Sequence, residues 1–135
     1  MKIFNVFATA ALLTIASLQA QADALRDILS SGVLKVGTTG DWNPMTMKDP
    51  ETNAYSGYDI DVMTELAADM EVEVEFVPTE WKTLVAGVTA GKYHMTGSAS
   101  ISPGRAKATG YSDSYFSLAT VPLTLKSNAD RFKDW

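Results

Sequence analysis

The chain has 135 residues, with 16 acidic side chains against 11 basic ones, a formal net charge of −5, a single histidine and no cysteine. A net acidic surface with scattered Lys and Arg excludes a nucleic-acid partner, which needs clustered positive charge. The lack of Cys removes thiolate metal sites, Cys nucleophiles and disulfides, and one imidazole, His94, is little to build a metal site or a Ser-His-Asp triad on, so neither cofactor nor metal is expected.

The first predicted element is an export leader over residues 1–22. Lys2 supplies the positive start, Val6 to Leu18 is nearly unbroken apolar sequence, and Ala20-Gln21-Ala22 is a small-residue cleavage site, which places cleavage before Asp23. The apolar run is shorter than the roughly 20 residues that cross a bilayer, so a released, periplasmic product is expected rather than an anchored one. The remainder of the chain is long enough for one domain with a modest core.

Ala24 to Leu29 predicts a short amphipathic helix closed by Ser30-Ser31-Gly32, with the glycine suited to a left-handed cap. Val33 to Gly37 predicts a strand. Thr38 to Met47 predicts a polar loop carrying Asp41 and Trp42, and Asp49 to Asn53 has turn chemistry, so the region to Gly57 predicts a small hairpin or an open excursion. From Tyr58 to Met70 the period becomes helical, with Ile60, Met63, Leu66, Ala67 and Met70 on one face and Asp61, Glu65 and Asp69 on the other. Val72, Val74 and Phe76 then alternate with three glutamates, the period of a strand wet on one face. Trp81, Leu84, Val85 and Val88 fall at helical spacing and predict a second helix ended by Gly91. Tyr93 to Gly97 is a third strand, and Thr120 to Leu125 is rich enough in β-formers to predict another.

Strand, helix, strand, helix, strand at these spacings predicts an α/β fold with a mostly parallel sheet. Ligands of such sheets bind outside the carboxyl ends of the strands, and two polar segments sit there: Thr38 to Met47, and Gly97 to Arg105, which reads GSASISPGR. Arg105 offers a planar fork of donors for a carboxylate or phosphate, and Ser98 and Ser100 add short hydroxyls. The same run is also an ordinary helix start, with Ser102 as N-cap and Pro103 in the first turn.

Four stretches, VLKVGTTGDWNPM, SGYDIDVMTELA, VEFVPTEWKTLVAGVTAGKY and GSASISPGRAKATGYSDSYF, in this order and spacing, resemble the family 3 extracytoplasmic solute-binding proteins of amino-acid ABC transporters. The resemblance implies a type II periplasmic-binding-protein-like fold, with two α/β lobes closing on a ligand, of which this chain carries the first. Residues 23–125 would form that lobe and 126–135 would begin a second one that the sequence does not include. It also implies that Trp42 and Trp81 line the cleft beside Asp41, that Ser98 and Ser100 offer polar contacts, and that Arg105 pairs with the ligand carboxylate. The implied partners are an amino acid or related small carboxylate and the membrane permease of an ABC transporter. Two positions depart from the family pattern: Gly104 replaces a common acidic residue and His94 a common Asp.

TTGDWNP and PTEW resemble in particular the periplasmic cyclohexadienyl (prephenate and arogenate) dehydratases, which use the same fold for elimination. An enzyme of that kind is the alternative to a binding protein. Its general acid would have to come from Asp41, Glu80 or His94 within this half, and each has a plain structural reading as turn residue, helix-start acid and strand-edge residue.

Overall fold

A computed structural model describes residues 24–121 and 123–131; the predicted leader and its cleavage site lie outside them. Residues 24–31 are helical (α1), and the helix stops at Gly32, whose φ of 70° lets its N–H return to Ile28 O at 2.9 Å. The chain then enters β1, Val33–Thr38, the central strand of a parallel sheet ordered β5-β1-β6, in which β5 is Glu73–Pro78 and β6 is Met95–Thr96. Leu34 and Val36 of β1 are almost fully buried, as a middle strand covered on its faces requires.

Helix α2, Tyr58–Asp69, lays Ile60, Met63 and Ala67 against this sheet, where Ile28, Leu34, Val36, Met63 and Ala67 form one core cluster. Burying a side chain such as Leu34 or Met63 contributes about 1.5–3 kcal/mol each, which is what fixes the helix to the sheet. Asp61, Glu65 and Asp69 face solvent, and the alternation of half-buried Val72, Val74 and Phe76 with exposed glutamates leads into β5 and continues along it, as expected. Helix α3, Leu84–Thr89, covers the other side of β1 and β6 through Leu84 and the buried Tyr93.

Two expectations are corrected and one is narrowed. Of the small hairpin or open excursion expected after β1, the paired form is present: Asp41–Trp42 (β2), Thr46–Lys48 (β3) and Tyr55–Ser56 (β4) make a small antiparallel sheet, tied down by the buried Thr38 and Thr46 hydroxyls and by Tyr55 against Phe76. Trp81 does not begin the second helix. Residues 81–83 form a turn, because Thr83 N bonds back to Glu80 O, and α3 starts one turn later than the apolar spacing suggests. Residues 120, 121 and 123–125 form no strand; they are exposed and find no neighbour to pair with among the described residues, so their β-propensity is unrealised. A four-residue helix, Pro103–Ala106 (α4), and a 3₁₀ helix, Lys126–Arg131, complete the described chain. Among the described residues no helix is long and apolar enough to cross a membrane.

Candidate functional site

Parallel strands β1 and β6 end side by side at Thr38 and Thr96, and the two polar segments read from the sequence leave from there. The first carries Asp41 and Trp42 into the small sheet. Trp42 meets Trp81 edge to face, with ring centroids 5.4 Å apart and planes at 68°, a preferred aromatic geometry. Trp81 Nε1 donates to Asp41 Oδ1 at 3.1 Å. Three of the six candidate residues therefore form one contiguous group, and Trp42 keeps 41% of its surface open. A carboxylate beside two indoles, one with an open face, suits an apolar or cationic part of a small molecule.

The second segment holds the other three. Ser102 is the N-cap of α4, its hydroxyl accepting from Arg105 N at 3.4 Å, and Pro103 sits in the first turn. The local helix-start reading is thus correct, and it is compatible with a ligand role because capping uses the Arg105 backbone and not its guanidinium. The Arg105 guanidinium donates from Nη1 to Ser100 O at 3.1 Å. That bond uses one of its five N–H donors. Ser100 O also accepts from Tyr111 Oη at 3.2 Å, so the carbonyl is a shared anchor. Ser98 has a φ of 51°, and its N–H donates to Tyr115 Oη at 2.9 Å.

Ser98 and Trp81 line one recess at the strand ends together with Thr39, Asp59 and Gly97. Among the described residues no hydrogen bond joins the Asp41–Trp42–Trp81 group to Arg105; Ser98 lines the same recess as Trp81, and Arg105 reaches only Ser100 O. The dehydratase candidates are dispersed. Glu80 is an exposed turn residue, and His94 is engaged in holding the fold, with Nδ1 accepting from Lys35 N at 3.0 Å and Nε2 bonded to Asp27 at 3.2 Å.

Three residues in or beside the recess escape the sequence reading. Asp59 is only 5% exposed and accepts from Tyr115 Oη at 2.8 Å. Burial above all, together with the Asp59 carboxylate and against the Ser98 N–H, pushes the Tyr115 phenol up to about 12. Thr39 has its hydroxyl buried with no partner among the described residues. Asp59 has a visible signal, since it precedes Met63 by four and Leu66 by seven and so belongs to the apolar stripe of α2. Nothing local marks Thr39 or Tyr115.

Residues 34–132 match the bacterial extracellular solute-binding proteins, family 3. The chain belongs to that family. It is 36% identical over 96% of its length to a cyclohexadienyl dehydratase of Pseudomonas aeruginosa, and 32% identical over 80% of its length to the L-cystine-binding protein TcyA of Bacillus subtilis. It spans 48% and 40% of those two proteins, about half their length or less. Among solved structures, the arginine-bound form of domain 1 from TmArgBP superposes with a TM-score of 0.62 at 30% identity, covering 67% of this chain and 71% of that one. The architecture is accordingly that of one α/β lobe of the type II periplasmic binding fold, and the family's amino-acid-binding members are among its relatives.

Proposed function

We propose that residues 23–125 form the first lobe of an exported, periplasmic amino-acid-binding protein, which presents its solute to the membrane permease of an ABC transporter. The observation that carries this reading is the Trp42–Trp81–Asp41 group, open at Trp42, at the sheet edge from which the segment bearing Ser98, Ser100 and Arg105 also departs. In this reading Arg105 holds the α-carboxylate with its remaining donors, Ser98 and Ser100 add polar contacts, and the indoles take the side chain, with Asp41 favouring a positive charge there. The arginine-bound relative consisting of domain 1 supports a ligand surface carried by a single lobe.

Dehydratase activity is the second reading, supported by the 36% identity to a cyclohexadienyl dehydratase. Elimination needs a general acid kept protonated by its surroundings. Asp41 and Glu80 are exposed and His94 is committed to Lys35 and Asp27, which favours binding over catalysis for the residues in hand.

Calorimetric titration with L-arginine, L-cystine and L-glutamine tests the first reading. Arg105→Ala is expected to weaken the best of them by about 2–5 kcal/mol, the penalty of leaving a carboxylate without its charged partner. Unchanged affinity would reduce Arg105 to a helix residue. Incubation with prephenate, followed by assay for phenylpyruvate, separates the two readings: turnover by the protein would replace the binding function with the enzymatic one.

A further inference from the structure

The described residues contain one buried carboxylate, and it serves the loop rather than the core. Asp59 opens the first turn of α2, and its Oδ1 accepts the Tyr115 hydroxyl proton at 2.8 Å. The same hydroxyl oxygen accepts the Ser98 N–H at 2.9 Å, so one phenol oxygen both donates and accepts. Gly97 makes room for this arrangement, since a Cβ there would lie 2.8 Å from the Asp59 carboxyl carbon and 3.0 Å from the Tyr115 oxygen. Ser98, next along, adopts a φ of 51°, a left-handed conformation disfavoured for a residue with a Cβ. Such a conformation persists only where its surroundings over-determine it. Tyr115 is itself fixed from behind by Tyr58, whose ring stacks at 6.2 Å and whose hydroxyl donates to Tyr115 O at 3.4 Å.

We propose that Tyr115 is a positioning residue for the ligand loop: its hydroxyl, oriented by Asp59, holds the Ser98 amide and thereby sets the backbone that carries Ser98 and Ser100 to the solute. The proposal rests on the reading of Ser98 and Ser100 as ligand contacts. It joins three parts of the chain, the start of α2, the end of β6 and the segment around Tyr115, through one oxygen. Movement of that segment would then be transmitted to the loop without touching the indole pair.

Tyr115→Phe keeps the ring and its stacking and removes only the shared oxygen, so it isolates the relay. In the full chain, hydrogen exchange at the Ser98 amide is expected to accelerate about tenfold or more in this variant, while the amides of β1 keep their protection. L-arginine affinity is expected to fall about three- to tenfold, the value of one lost hydrogen bond. Asp59→Asn retains an acceptor for the hydroxyl but no charge. It should keep the Ser98 amide protected and bring the Tyr115 phenol below its wild-type value of about 12 in an ultraviolet titration. Unchanged Ser98 exchange in Tyr115→Phe, or undiminished arginine affinity, overturns the proposal. If Tyr115→Phe lost the β1 protection too, the Asp59→Asn titration would decide, and an unshifted phenol would overturn the relay. Failure of the wild-type chain to bind L-arginine would count against the amino-acid reading, and the exchange arm would then judge the relay alone.

Discussion

Asp59 and Asp61 flank the same isoleucine and look interchangeable in the sequence, yet one is buried under Tyr115 and the other faces water. The difference is helical phase, which the apolar stripe of α2 makes readable, but the partner that makes burial tolerable lies 56 residues away and no local pattern announces it. The same holds for Trp81 and Asp41: both stand in segments at the strand ends, whereas their hydrogen bond depends on how the small sheet pairs, of which the sequence marks only the turn residues. The burial of Tyr115 beside Asp59 has a measurable consequence. Its folded value, about 12, lies above the ordinary value of 10.0, chiefly because burial disfavours the phenolate. The folded state therefore prefers the neutral form. The stability this contributes is fully present below pH 10 and is lost as the pH rises through about 12. Because the ring is partly open to solvent, screening makes the effect modest. Urea midpoints measured across this window should fall more steeply for the wild type than for Tyr115→Phe; parallel curves would mean that Tyr115 titrates like a free phenol.

Long elements with a sustained period, α2 and β5, appear where the alternation of apolar and polar residues puts them, since amphipathic burial alone specifies them. The two- and three-residue strands β2, β3 and β4 do not, because so few residues carry no period and their pairing is imposed by the packing of Met45, Thr46 and Tyr55. The contact between α3 and the sheet shows how much of an element's placement is held in side chains that are absent. Tyr93, 2% exposed, lies between Gly37 of β1 and Gly87 of α3, and its hydroxyl donates to Leu84 O at 2.7 Å. A Cβ at Gly87 would come within 2.1 Å of the Tyr93 oxygen, and one at Gly37 within 2.4 Å of its ring. These glycines set the distance between helix and sheet, and the ring cannot retreat because it is packed on both sides. Gly87→Ala should therefore destabilise the lobe by about 1–3 kcal/mol despite the better helix propensity of alanine. Denaturant melts would check this; a neutral or stabilising effect would show that α3 can slide away from Tyr93.

Burial across the lobe is uneven. One side has the continuous core of Ile28, Leu34, Val36, Met63 and Ala67, but the segment beyond Tyr115 presents Phe116, Leu118, Val121, Leu123 and Leu125 to water, with Leu123 99% exposed. An apolar run of that kind, with no strand pairing among the described residues, favours association with another surface. The core and the run are separable in energy: Leu34 is buried, so Leu34→Ala would create a cavity, whereas Leu123 contributes no burial to lose. Sedimentation of the chain across a concentration series should show self-association, and Leu123→Ser combined with Leu125→Ser should reduce it while leaving the thermal midpoint of the monomer unchanged. A coincident fall in the midpoint would mean that the run packs on the lobe in solution. A wild-type chain that stays monomeric at every concentration would mean that exposed leucines alone do not bring two lobes together.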